Sequence, residues 1–181
     1  IRFERSVNTF AAMGIFLKET KQVPEDQIGT FMQNYRNTAP QFWKDSFDLE
    51  FDEKHSLYQP VNPDIDFSKT FAIPVAYKNK VYSNFETQEV QTLKHAFEKV
   101  FLVKDSIKKI RWKLTDETRE IAGYQCHRAN ALFFDSIYVV AFYTDEIITK
   151  GGPESFNGLP GMILGVAIPH QHITIFATKV T

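Results

Sequence analysis

The chain has 181 residues, 43% of them hydrophobic and 24% charged, and a net charge of −1. This is the composition of an ordinary globular unit, so residues 1–181 are expected to form a single domain, trimmed at both ends from a longer precursor. Lys and Arg are mixed with Asp and Glu throughout, which excludes nucleic acid as an expected partner, and no apolar run approaches the ~20 residues of a spanning helix.

Seventeen Phe and seven Tyr favour strands around a core or cavity filled by large side chains. In chain order, Ile1–Leu17 is rich in Phe, Ile and Val with polar residues between. It reads as strand, with Gly14 marking a bulge. In "VPEDQIGTFMQNYRN", Pro24 fits a helix start and Glu25 and Asp26 suit a first turn. Ile28, Phe31, Met32 and Tyr35 share one helical face, so a helix is expected from Glu25 to Asn37. Phe47, Leu49 and Phe51 alternate as in a half-buried strand. Pro60, Pro63 and Pro74 mark a loop or flap. "KNKVYSNFE" resumes as a strand. "EVQTLKHAFEK" reads as a short helix through Val90, Leu93 and Phe97, and "VFLVKD" as a strand covered on both faces.

From Ile110 the alternation is clearest: Ile110, Trp112 and Leu114, then a polar turn "TDETRE", then "IAGYQCHRANALFF". "SIYVVAFYT" is apolar on both faces and should lie at the centre of a sheet. "MILGVAIP" and "ITIFATKV" add two strands joined at "PHQH". Roughly nine or ten strands with one or two helices imply a mainly antiparallel β (α+β) fold. The expected form is a curved open sheet or half-barrel with a helix in its concave face, and the alternative is a two-sheet β-sandwich.

The segment "GGPESFNGLPGMIL" raises the question of a phosphate loop. Such a loop leads into a helix and carries a Lys-Ser/Thr pair, whereas this one leads into a strand without that pair. Leu159-Pro160-Gly161-Met162 instead fits a type II turn, with Gly161 accepting positive φ. Of the five histidines, His170 and His172 are the suggestive pair. On an unbroken strand they would share a face and suit copper or zinc, with Met162 and Cys126 as soft ligands, but Pro169 makes "PHQH" a hairpin tip. The lone Cys126 permits no intramolecular disulfide and reads as a small buried hydrophobe. No nucleophile elbow and no zinc-protease motif is present.

Four segments then fall in a recognisable order: "WKLTDET", "IAGYQC", "YTDEI" and Gly158-Leu159-Pro160-Gly161-Met162-Ile163. Together they resemble the GLPGLI family of Bacteroidetes envelope proteins, with Met162 replacing the second Leu of the signature. The likeness covers about the last eighty residues well and the first hundred loosely. It implies an exported protein made with a signal peptide, periplasmic or secreted, with a structural signature turn and no catalytic residues to carry over. The strand-rich, aromatic-rich pattern also resembles the open half-barrels of lipoprotein carriers.

These observations lead to an expected function. It is a non-enzymatic envelope protein that binds an apolar small molecule, a lipid or a partner protein, with no cofactor required. A copper- or zinc-handling protein using His170 and His172 is the alternative, and a hydrolase of unknown type the third.

Overall fold

A computed structural model gives the fold and describes residues 1–62, 76–96, 99–134 and 136–181. Strand β1 (Arg2–Asn8) runs directly into helix α1 (Thr9–Thr20), and a short 3₁₀ turn leads to α2 (Ile28–Thr38). Five strands follow: β2 (Phe42–Phe51), β3 (His55–Pro60), β4 (Lys80–Asn84), β5 (Glu89–Ala96) and β6 (Lys99–Ser106). The second series is β7 (Lys113–Ile121), β8 (Tyr124–Phe133), β9 (Ile137–Thr144), β10 (Met162–Ile168) and β11 (Ile173–Lys179). A single antiparallel ladder joins all eleven in the order β6-β5-β4-β3-β2-β1-β11-β10-β9-β8-β7. The fold is therefore mainly antiparallel β with two helices, and the sheet is open. β1 and β11 pair in the middle, and each half of the chain meanders outward from them.

This order forces curvature. Ten strand spacings of about 4.8 Å would put the two edges of a flat sheet ~48 Å apart. The chain crosses from β6 at one edge to β7 at the other through residues 107–112 alone, which reach about 25 Å when fully extended. The sheet must curl until its edges come within that reach. Its inner face carries Phe3 and Phe47, both fully buried, with Tyr58 and Val81 beside them. On the β8–β10 side, Ala129, Val139, Ala141 and Val166 pack against Phe156 and Leu159 of the loop before β10, and against Trp112 of the crossing segment. The Trp112 indole N–H donates to the Asn157 carbonyl at 2.8 Å, fastening link to loop.

Several local expectations change in this context. Residues 9–17 are helix rather than strand. The Asn8 side chain accepts from the Ala11 N–H at 3.2 Å and caps α1, and Met13 and Leu17, four apart, bury against Met32 and Tyr35 of α2. Gly14 is an interior residue of α1, not a bulge. The helix expected near Glu25–Asn37 forms as the 3₁₀ turn plus α2, and the two helices pack on each other as a hairpin with their own small core. The concave face is filled by the loop before β10 instead of by a helix. Residues 89–96 are a strand, because β4 and β6 pair with them on both sides; Phe97 lies outside the described residues. The polar "TDETRE" lies within β7, where an irregular register between Leu114 and Thr118 bends the strand. β6 is an exposed edge rather than a covered strand. Pro60 ends β3, and Pro63 and Pro74 lie outside the described residues. β9 is internal, between β8 and β10, as its two-sided apolar pattern predicts.

The glycines of the loop before β10 serve close packing. A Cβ on Gly161 would lie 2.0 Å from the Thr144 carbonyl oxygen, and one on Gly152 2.7 Å from the Ile163 Cβ. The positive φ is at Gly158 (86°), not at Gly161. The type II turn expected at Leu159–Met162 is thereby corrected: Gly161 is required by backbone approach, not by handedness. Gly161→Ala should destabilise the protein by about 3 kcal/mol or more. Gly14→Ala, in open space within a helix, should stabilise it by up to ~1 kcal/mol. Chemical denaturation of the two variants beside the parent checks both values.

Candidate functional site

Alternation along β1 puts Phe3, Arg5 and Val7 on the inner face, so one charge enters an apolar row. Register places Asp45 of β2 directly opposite Arg5. Arg5 Nε donates to Asp45 Oδ1 at 2.9 Å and Nη2 to Oδ2, a bidentate pair whose side chains are 4% and 9% exposed. The guanidinium lies 4.9 Å from the centre of the Phe47 ring, and Tyr58 of β3 stacks on that same ring, their centroids 4.8 Å apart. Burial works against the Arg5 charge, but the hydrogen bonds and charge of Asp45 outweigh it and hold its pKa above the usual value.

Two polar atoms beside this pair are buried without a hydrogen-bond partner among the described residues, the Tyr58 hydroxyl and the Trp43 indole N–H. Trp43 precedes Asp45 by two residues, on the same face of β2. Burial also pushes the Tyr58 pKa well above its ordinary value. Orphaned groups of this kind cost free energy unless something hydrogen-bonds to them.

Glu154 completes the cluster from the opposite side. It sits in a tight turn in which the Phe156 N–H donates to the Pro153 carbonyl at 3.2 Å, and its own φ is 55°. A non-glycine residue held in the left-handed region is strained, and such strain gathers at functional sites. Desolvation raises the Glu154 carboxyl to about 7; Arg5 and Lys94 oppose the rise and Asp45 adds to it. The residue as a whole is partly exposed, but its carboxyl faces the cluster. Two carboxyl groups thus compete for one guanidinium. Asp45 occupies the fork, and Glu154 is left with a proton that it holds or gives up near neutral pH.

The same inner face continues to β6 and opens a cavity of about 260 Å³ next to the Glu154 turn. Thr92, Lys94 and Asp105 line its sheet side, and Phe133, Ser155 and Asn157 its other side. Hydroxyl, amide, charged and aromatic groups therefore converge there.

The residues singled out from sequence are distributed differently. Gly158, Leu159, Pro160, Gly161, Met162 and Ile163 form the end of the loop that carries Glu154. Leu159, Met162 and Ile163 are buried in the core beneath it. His170 lies in the 3₁₀ turn Pro169–Gln171 and His172 caps it with a φ of 54°, both exposed. Met162 starts β10 and His170 follows its end, so the soft ligand stands about 20 Å along the strand from the imidazoles. Among the described residues no group of three or more His, Cys, Asp or Glu converges to hold a metal ion. Cys126 is fully buried, and burial, helped by the Glu146 charge, pushes its thiol to about 11, so it stays protonated and unreactive. No helix among the described residues is long and apolar enough to cross a membrane. The Arg5–Asp45–Glu154 cluster was missed from sequence. Its one legible signal is a charge at an inward position of each of two alternating strands, at Arg5 and Asp45.

Glu154 should make stability depend on pH. Its folded pKa, about 7, lies above the reference of 4.5. The folded state therefore binds the extra proton between these values, and stability falls as pH rises through that window. In Glu154→Gln this fall should vanish, so that the variant melts above the parent at about pH 8 and near it at about pH 5. Thermal melts across that range read the difference.

Comparison with known proteins bears on the whole chain. A family model described as "N-glycanase peptide, N-terminal domain" matches residues 68–181. Two solved structures described as PNGF-II, in different crystal forms, share the fold at 16% identity with TM-scores of 0.62 and 0.60. Each likeness covers 100% of this chain and 27% of the other, so the chain spans about a quarter of the length of the structures it matches. A search of curated proteins returns no match. These findings overturn the GLPGLI resemblance, which rested on short turn and strand motifs that a different family of antiparallel sheets also contains. The expectation of a non-enzymatic envelope binding protein falls with it, since the matching family is named for an enzyme. With 114 of 181 residues inside the match, the chain belongs to the N-glycanase peptide N-terminal domain family.

Proposed function

We propose that this chain serves the enzymatic removal of N-linked glycans, that is, hydrolysis of the amide joining an asparagine side chain to its sugar. Its own part in that reaction is to hold the glycan in the cavity between the β5–β6 end of the sheet and the Glu154 turn. The observation that carries this reading is the cavity beside the Glu154 turn, where hydroxyl, amide, charged and aromatic side chains converge, with the Glu154 carboxyl raised toward neutrality next to it. Sugars present many hydroxyls and weakly apolar ring faces. A cavity lined by Thr92, Lys94, Asp105, Ser155, Asn157 and the ring of Phe133 suits them better than it suits a lipid. The membership over residues 68–181 in a family named for an N-glycanase supports this reaction class. In this reading the sheet is a half-barrel trough, the shape expected from lipoprotein carriers, with the link of residues 107–112 drawing its edges together. N-linked glycans are carried on secreted proteins, so an exported, periplasmic or secreted location fits the substrate.

Isothermal titration with an N-glycopeptide and with the same peptide lacking the glycan tests this. The glycosylated form should bind and the bare form should not. Protonated Glu154 donates a hydrogen bond, so affinity should fall by about tenfold between about pH 6 and about pH 8. In Glu154→Gln, whose amide donates at either pH, the profile should be flat. Equal binding of both peptides, or the same pH profile in the variant, would refute the assignment.

A further inference from the structure

β6 has β5 on one side and no strand on the other among the described residues. Its centre is four consecutive apolar residues, Val100, Phe101, Leu102 and Val103, between 39% and 58% exposed. An exposed apolar edge is a template for another strand, and folded proteins ordinarily blunt it. Here Lys99 and Lys104 flank the run, and the hydrogen-bond pattern of the edge decides what they can face.

The β5–β6 register runs through Glu89↔Ser106 and Val90↔Asp105, which places Gln88 opposite Ile107. The Ile107 N–H donates to the Gln88 carbonyl at 2.9 Å. In an antiparallel ladder hydrogen-bonded and non-hydrogen-bonded pairs alternate. The odd-numbered residues of β6 therefore spend their backbone groups on β5, and Val100, Leu102 and Lys104 turn theirs to the free edge. A second β6 that docks antiparallel must set even-numbered residues against even-numbered ones. With Leu102 on the two-fold axis, Val100 meets Lys104, Phe101 meets Val103, and Lys99 meets Asp105. Every pair but the central one occurs twice. The apolar centre is matched and each end of the strand finds an opposite charge, whereas a two-residue shift would set Phe101 against Asp105 or Lys99 against Val103.

We propose that this chain self-associates through β6, two copies joining edge to edge about Leu102 into one continuous antiparallel sheet. The inner faces of both copies then lie on the same side, and Phe101 and Val103 extend the floor beside the cavity across the seam. An eight-residue edge is a small interface, so the assembly is concentration-dependent.

Sedimentation of the 181-residue chain over a concentration series, with Leu102→Cys crosslinking under oxidised glutathione, tests the pairing. Cα atoms of a hydrogen-bonded pair lie about 5.5 Å apart, within disulfide reach. Leu102→Cys should give a covalent dimer, and Phe101→Cys and Lys104→Cys should give much less. Asp105→Lys should weaken association by at least about tenfold, because each seam end then carries like charges. The double reversal Lys99→Asp/Asp105→Lys should restore it. A monomer at every concentration up to the order of 1 mM, equal crosslinking at all three positions, or failure of the double reversal to rescue would overturn the proposal.

Discussion

The short crossing between the two edge strands constrains everything else in this fold. Six residues, 107–112, must connect the ends of an eleven-stranded ladder. An extended peptide of that length covers about half of the flat sheet's width. Curl is thus built into the connectivity, and it creates a concave face that needs filling. The loop before β10 fills it, held by the Trp112–Asn157 hydrogen bond and by the packing of Phe156 and Leu159. Its glycines allow backbone to lie against backbone where any side chain would collide.

Filling a concave face with a loop brings polar backbone and a carboxylate over a sheet that has its own buried ion pair. Arg5 and Asp45 form a bidentate pair, and the charges of Arg5 and Lys94 only partly oppose the desolvation of Glu154. Desolvation is the main cause of the raised Glu154 pKa, and the Asp45 charge adds to it against Arg5 and Lys94. The Tyr58 hydroxyl and the Trp43 indole N–H have no hydrogen-bond partner among the described residues at the same place. Apolar residues at these positions would cost less to bury.

Much of the fold was legible because period-two alternation is a local property. The strands around Phe47, Ile137 and Met162 and the helix through Ile28 and Tyr35 follow from residue spacing. The errors share one cause. Residues 9–17 and 89–96 carry apolar patterns short enough to suit either a helix or a strand, and the arbiter was tertiary: α2 packs on the first, and β4 and β6 pair with the second. β6 was misread because successive apolar residues describe a strand buried on both faces and an exposed adhesive edge equally well. The family likeness inferred from a Gly-Leu-Pro-Gly turn failed for a related reason. A turn motif records local backbone demands, which unrelated sheets share.

By itself, then, the sequence determined the class: an antiparallel, aromatic-rich sheet with the helix through Ile28 and Tyr35 and a glycine-bearing loop leading into a core strand. Those features depend on neighbours within a few residues. The site was decided only by tertiary structure, because Arg5, Asp45, Tyr58 and Glu154 are separated by up to 149 residues and meet only when the two halves of the chain pair through β1 and β11 and the sheet closes around the loop. Their chemistry is a property of that meeting. Burial raises the Glu154 carboxyl to about 7 here, with Asp45 adding to the rise and Arg5 opposing it, and no local pattern in the sequence encodes that arrangement.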